Sequence, residues 1–406
     1  MSDILFVHNN FPGQFGALAT ALRADGHRCA AIGSTTAAGV PGVDTRRWKL
    51  DGEFRPSGRP LSARAEIDLI RARHAATCAL ELKAEGFDPA LIVGHPGWGE
   101  TLLLGEIFPR ARTIAYAEFF YRSRGADVGF DPEFARPPEE DSFRVHAKNM
   151  GLALAYAEAD RLVAPTPFQA SLLPASLKGR TTIIHEGVDT DAVKPIHDAR
   201  IALPGVGELK PDVPLITFVN RRFEPLRGYH VFMRALPKIL AAMPDARVVL
   251  VGGDPGAGYG TPPPAGQNWR DVFLDEVKHR LDPTRLHFVG RLPHQALVAL
   301  MSRSNAHIYL TYPFVLSWSL LDAMAAESLI VASDTAPVRD VVENGRNGLL
   351  VEFFDTDALA DTVVEACRNP ERYRGIRQAA RRTVVEHFDR RRNCLPAWLD
   401  LVRSLL

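Results

Sequence analysis

Leu215-Ile216-Thr217-Phe218-Val219 runs directly into Asn220-Arg221-Arg222-Phe223-Glu224-Pro225-Leu226-Arg227-Gly228, and a helical pattern opens at Tyr229. A continuous apolar run of this kind reads as a strand buried on both faces. A loop and then a helix make it the start of a βαβ unit, which needs a parallel sheet. The chain begins the same way: Ile4-Leu5-Phe6-Val7, then Asn9-Asn10-Phe11-Pro12-Gly13-Gln14-Phe15-Gly16, then a helix over 17–24 closed by Gly26. Two such beginnings predict an α/β chain of two doubly wound, Rossmann-like halves. Further strands are expected over 28–32, 91–93, 112–117 and 161–164, and in the second half over 247–251, 286–289, 307–311, 329–332 and 348–351.

Between the halves, residues 189–214 carry Pro195, Pro204, Pro211 and Pro214 and read as a linker. The expected domains are 1–195 and 196–388. A last segment, 389–406, has Leu395, Trp398, Leu399, Leu401, Val402 and Leu405 at helical spacing and is expected to return to the first domain. Residues 254–268 read as a Gly/Pro loop and 123–144 as a long polar insertion.

Composition bounds the function. Among 406 residues, 48 Lys+Arg balance 48 Asp+Glu, and 46% are hydrophobic, so neither a disordered chain nor a polycationic surface is expected. Nucleic acid is therefore not an expected partner. No apolar run reaches the roughly 18 residues a membrane helix needs. The beginning of the chain lacks the pattern of a secretory signal. Cys29, Cys78, Cys367 and Cys394 form no CxxC, which fits a reduced cytoplasm and no cysteine metal site. Residues 46–73 hold Arg46, Arg47, Lys49, Arg55, Arg59, Arg64, Arg71 and Arg73, but Asp51, Glu53, Glu66 and Asp68 are interleaved. That is a solvated face rather than a clear basic one, so peripheral contact with an inner membrane face stays open without support.

In doubly wound folds, ligands bind at the carboxyl ends of strands, so the loops after strands carry the chemistry. Arg221, Arg222 and Arg227 lie in one such loop at a helix start, where guanidinium forks and the helix dipole suit an anion. After the strand at 307–311, Ser317 is a plausible N-cap, and the amides of Ser317, Trp318 and Ser319 are donors for a diphosphate. Asp322, one turn further, has the chemistry to hold a vicinal diol. Gly13 and Gly16 allow close backbone approach, although no GxGxxG is present. His95 and Trp98 follow the strand at 91–93. Glu118 follows the strand at 112–117, and pairing with Arg122 or Arg124 is its bland reading. GxxxxGK[ST], HExxH and GxSxG are all absent.

Taken together, these residues resemble the GT-B glycosyltransferases of glycosyltransferase family 4, a bacterial subgroup included. The resemblance rests on the arginine loop with Gly228, Val251-Gly252-Gly253, Phe288-Val289-Gly290, the helix after Ser317, Ile184-His185-Glu186-Gly187-Val188-Asp189 and Glu343-Asn344-Gly345-Arg346-Asn347-Gly348. It implies two Rossmann-like domains facing a central cleft and a retaining, metal-independent transfer to an acceptor hydroxyl. The donor is a nucleotide-diphosphate sugar acting as co-substrate, with no further cofactor. Arg227, and Arg221 or Arg222, match the residues that contact the donor diphosphate. Asp322 matches the ribose-binding acid, Trp318 and Ser319 the diphosphate amides, and Val289, Gly290 and Arg291 the segment at the base. Gly13 and Gly16 match the loop near the reacting centre, and Glu118 and His95 are candidates for orienting sugar or acceptor.

Three positions depart from the family pattern: Phe314 stands where its first motif glutamate would be, Glu118 at or near its catalytic-side histidine, and Glu327 at its glycine after the motif helix. The acceptor stays open among glycan, lipid-linked, peptide and small-molecule classes. A GT-B nucleotide-sugar epimerase and a non-catalytic nucleotide-sugar-binding protein are the competing readings.

Overall fold

The computed structural model describes residues 1–50, 61–196, 200–203, 207–210, 212–253 and 258–406. Asp51, Glu53, Arg55, Arg59, Pro204, Pro211 and part of the 254–268 loop lie outside the described residues. Two compact units emerge, Met1–Gly187 with Arg391–Leu406, and Val188–Arg390.

The first unit is a seven-stranded parallel sheet of β1 (Asp3–Val7), β2 (Arg28–Ser34), β3 (Asp44–Trp48), β4 (Leu91–Gly94), β5 (Arg112–Tyr116), β6 (Arg161–Ala164) and β7 (Thr181–Ile183), in the order β3-β2-β1-β4-β5-β6-β7. Alternation along β1 shows why it is continuously apolar. Ile4 and Phe6 enter one buried cluster, Leu5 and Val7 the cluster on the opposite face. The first cluster takes in Trp398 and Val402, so the helix Leu395–Arg403 completes the first unit's core. Trp398 stacks over Tyr116 with centroids 6.2 Å apart.

The second unit follows a two-stranded hairpin, β8 (Ile201–Leu203) and β9 (Gly207–Leu209), inside the segment expected to be a plain linker. Its sheet comprises β10 (Leu215–Asn220), β11 (Arg247–Gly252), β12 (Leu286–Phe288), β13 (Ala306–Tyr309), β14 (Ile330–Ser333) and β15 (Leu349–Val351), in the order β12-β11-β10-β13-β14-β15. Both sheets reverse strand order beside their first strand, at β1/β4 and at β10/β13. That reversal opens a crevice at the carboxyl edge. Residues 188–195 cluster with the second unit rather than the first: Val188 pairs with Asp389, and Arg381 donates to the carbonyls of Thr190 and Val193.

One expectation about the helices needs correction. Residues 138–144 are not part of an irregular insertion but the start of the helix Pro138–Glu158. Proline in the first turn and Glu139, Glu140 and Asp141 beside the helix dipole are what begin it. The helix after Ser317 spans Trp318–Ala325 and ends in Glu327 at φ 59, a left-handed position that glycine ordinarily fills. Two of the described arginines of the 46–73 stretch are engaged by acidic side chains. Arg46 pairs with Asp44 and Glu85 at 2.8 and 2.5 Å, and Arg64 with Asp68 at 2.7 Å.

Candidate functional site

At the carboxyl edge of the first unit, β1, β4 and β7 each lead into a histidine used in the same way. The amide of Asn10 donates to His8 Nδ1 at 2.9 Å, that of Gly97 to His95 Nδ1 at 3.1 Å, and that of Gly187 to His185 Nδ1 at 2.9 Å. An imidazole nitrogen that accepts carries no proton, so each ring is the Nε2–H tautomer with its donor facing away from its own turn. His8 Nε2 lies 2.7 Å from Gln14 Oε1. His95 Nε2 lies 3.4 Å from Glu118 Oε2, and His185 Nε2 lies 3.3 Å from Glu186 Oε2. Burial pushes the His8 imidazole down to about 3, so it stays neutral across the physiological range.

Glu118 is the meeting point. Gln14 Nε2 donates to its Oε1 at 3.0 Å, and Gln169 Nε2 donates to its backbone carbonyl. Burial works against its charge, but the His95 and Gln14 groups and the nearby His8 outweigh it and hold the carboxyl below the ordinary range. Arg122, the partner of the bland reading, instead gives its Nε to Leu172 O at 2.6 Å. Trp98 closes this cluster, with ring centroids 4.6 Å from His95 and 5.0 Å from His8. Gly13, at φ 45, is required here, since a Cβ would stand 2.3 Å from His8 Nε2. Gly16 has no such role, being ordinary helical backbone at φ −57. Beside the cluster, Glu100 is fully buried, and neither carboxyl oxygen has a hydrogen-bond partner among the described residues. Burial lifts its carboxyl to about 7.

The carboxyl edge of the second unit is built around arginine. Arg227 is not a solvent-facing fork but 8% exposed, with Nη1 donating to Thr311 Oγ1 at 3.0 Å and Val315 O at 2.8 Å. It ties the loop after β10 to the loop after β13. Its guanidinium stands 5.6 Å from the Phe314 ring centroid, so the aromatic at the departing position receives the cation by its face. Phe314 in turn meets Tyr259 at 5.5 Å, and Arg221 lies 5.3 Å over Tyr259. Arg221 is exposed and Arg222 half-buried.

The Ser317 amide donates to Tyr309 Oη at 2.7 Å and the Ser319 amide to Ser317 Oγ at 3.3 Å, so two of the three amides expected to serve a diphosphate are engaged within the protein. Trp318 is exposed at the helix start. Asp322 faces His294 Nε2 at 3.2 Å. Burial raises its carboxyl above the ordinary value, partly offset by His294 and Arg390. Val289, Gly290 and Arg291 follow β12 at the same edge, where Gly290 O accepts from the Gly252 amide at 2.7 Å.

Sequence reasoning missed His8, Gln14, Glu100, Tyr259, Thr311 and His294 as site residues. The two histidines after β1 and β4 share one signal, a His two residues before a turn amide. The others are placed by contacts across the fold that no local pattern announces.

Two family models match the chain. Residues 25–193 match the glycosyl transferase family 4 group and residues 203–383 match glycosyl transferases group 1. D-inositol 3-phosphate glycosyltransferase 2 of Catenulispora acidiphila is 30% identical over 242 residues, which is 57% of this chain and 52% of that protein. D-inositol 3-phosphate glycosyltransferase of Nocardia farcinica is 26% identical over 249 residues, 60% of this chain and 53% of that one. The chain thus spans about half the length of the curated relatives it matches. Among solved structures, the sucrose-phosphate synthase from Thermosynechococcus elongatus gives a TM-score of 0.75 at 17% identity, covering 100% of this chain and 99% of that one. Anabaena Alr3699/HepE in complex with UDP and glucose gives 0.69 at 14% identity, with both chains fully covered at 100%. At such identities the likeness shows the fold. The chain thus carries a glycosyl transferase family 4 region followed by a glycosyl transferases group 1 region, on two parallel sheets that match the fold of GT-B glycosyltransferase structures.

Proposed function

We propose that the protein is a retaining glycosyltransferase that moves a sugar from a nucleotide-diphosphate sugar to an acceptor hydroxyl. The observation that carries the reading is Arg227, a guanidinium fixed at the β10/β13 reversal point by Thr311 and Val315. A cation already locked in place needs no reorganisation when negative charge grows on a departing diphosphate. Arg221 and Arg222 add positive charge to the same loop, and Trp318 begins a helix whose N-terminus favours an anion. In this reading these groups supply the leaving-group stabilisation and the transfer is metal-independent. Asp322 takes the ribose hydroxyls, and the 289–291 segment the base. The first unit holds the acceptor, with Glu118 and His95 as its polar contacts.

The Anabaena neighbour's complex with UDP and glucose makes UDP-glucose the first donor to try. Among the described residues no helix is long and apolar enough to cross a membrane, and Cys29, Cys78, Cys367 and Cys394 are free and buried, which fits the proposed cytoplasmic setting. The test is calorimetry with UDP, ADP and GDP, followed by proton NMR of the anomeric signal released from UDP-glucose. Tight binding of one diphosphate and a first product with the donor's anomeric configuration are expected. No diphosphate binding at millimolar concentration would sink the reading, and an inverted product would remove retention alone.

A further inference from the structure

Glu118 is held by a hydrogen-bond chain whose direction is fixed at every step. The Asn10 amide occupies His8 Nδ1, so His8 Nε2 carries the proton and donates to Gln14 Oε1. That settles which way the Gln14 amide points: its oxygen takes the histidine donor, and its NH2 is left for Glu118 Oε1 at 3.0 Å. The Gly97 amide fixes His95 in the same manner, leaving a second N–H 3.4 Å from Oε2. This contact is long for a hydrogen bond, and such contacts commonly shorten only when substrate arrives. Glu118 thus takes its side-chain donors from Gln14 and His95, with no lysine or arginine bonded to it among the described residues.

Two further observations say what the anion is for. A carboxylate has about four acceptor positions, and the protein's side chains address two of them. The Glu118 side chain is also 32% exposed, although His95 beside it is 4% exposed, so part of it is accessible. Secondly, a carboxyl held below its ordinary range is a poor proton acceptor at neutral pH, where an effective base titrates near the working pH. The group is built to receive a hydrogen bond, not to remove a proton. Trp98, packed on both histidines, offers an aromatic face beside it for the apolar side of a sugar ring.

We propose that Gln14 is a positioning residue that, backed by His8, aims the Glu118 carboxylate at a hydroxyl or ammonium group of the acceptor, and that this acceptor is a polyol or amino sugar with no anionic group at the contact. The proposal deepens the acceptor side of the proposed function and rests on it. A hydroxyl or ammonium gains a charge-assisted bond, whereas a carboxylate or phosphate set there meets like charge, with no lysine or arginine bonded to Glu118 among the described residues.

The probes are glucosamine, glucose and glucuronate, followed by saturation-transfer NMR on the full chain. Glucosamine is expected to bind about tenfold or more tightly than glucuronate. In Glu118→Gln that preference should disappear. Gln14→Glu keeps a partner for His8 but replaces the donor facing Glu118 with a second carboxylate, and Gln14→Met removes the donor without adding charge. Gln14→Met should weaken glucosamine binding about threefold or more, because the carboxylate is no longer aimed, whereas Gln14→Glu adds negative charge and should keep the preference. Both should also move the titration of the Glu118 13Cδ signal, assigned by its loss in Glu118→Gln, upward by about one pH unit or more. If glucuronate binds the wild type as well as glucosamine, or the folded Gln14 variants leave the titration where it was, the proposal is overturned. UDP binding by the wild type is read separately, so a failure of the glycosyltransferase reading is not mistaken for a failure of this one.

Discussion

The carboxyl edges of the two units solve opposite electrostatic problems. In the first unit a single carboxylate, Glu118, is held by neutral N–H donors, and the surroundings are so dry that Glu100 titrates at about 7 and His8 at about 3. In the second unit a permanent cation, Arg227, is held by a hydroxyl, a carbonyl and an aromatic face, again without a counter-ion among the bonds that fix it. A salt bridge would be the simpler way to bury either charge. Supporting each with neutral dipoles keeps its field available to a ligand. The difference teaches that the two edges present opposite charges, a carboxylate in the first unit and a guanidinium in the second, and the proposed function assigns hydrogen-bond donors to the one and an anion to the other.

The comparison can be broken most sharply at Glu100. Its folded carboxyl titrates at about 7 against an ordinary 4.5, so the folded state holds a proton that the unfolded chain releases earlier. Stability is then fullest below pH 4.5 and falls as pH rises through 7, by about 3 kcal/mol in total. Glu100→Gln should remove that fall and be the more stable protein at pH 8. Urea midpoints at pH 5 and pH 8 measure it, and parallel curves for the two proteins would show that this corner is not dry.

Next is Arg227→Ala, expected to weaken UDP binding about 10- to 100-fold, as the loss of a charged hydrogen-bond partner worth roughly 1.5–3 kcal/mol implies. Arg227→Lys keeps the charge but not the fork, and should recover only part of it. Unchanged calorimetric affinity in a folded Ala variant would remove the cation from the comparison.

A smaller effect is expected at Asp322. Asp322→Asn should cost UDP about tenfold above pH 6 while leaving affinity for inorganic pyrophosphate unaltered. Because burial raises the Asp322 carboxyl, wild-type UDP binding should weaken on acidification sooner than an exposed aspartate would dictate, and the Asn variant should lack that limb. An equal loss of pyrophosphate binding would count against a ribose contact. Last comes Arg221→Ala, an exposed arginine stacked on Tyr259, with an expected loss of about threefold that vanishes in 1 M salt. A salt-insensitive loss would mean that stacking, not charge, is what Arg221 contributes.

Much of this was legible along the chain. The apolar runs 4–7 and 215–219 declare both sheets because a strand covered on two faces has no polar alternative. Strand ends pointed to His95, Glu118, Arg227 and Asp322. What stayed hidden has a common cause. Gln14 meets Glu118 across 104 positions, and Arg227 meets Thr311 and Val315 across 84 and 88, so neither the relay nor the inward turn of the arginine has a local signature. The helix Pro138–Glu158 was masked by its own beginning, since prolines and acids that start a helix also read as polar loop. The β8–β9 hairpin was masked by the prolines around it.

The chain crosses between the units twice, at 187/188 and 390/391, and just inside the second unit the Val188 amide donates to Phe388 O while the Arg390 amide donates to Val188 O, each at 2.8 Å. In genetic terms the second unit is therefore an insertion within the first, not a tail fused to it. A recombination that exchanges the second unit between relatives has to carry 188–390 as a cassette and leave the last segment behind with its own N-terminal partner. A single crossover near the middle would instead hand the first unit a foreign Trp398 and Val402, and with them a foreign piece of its core.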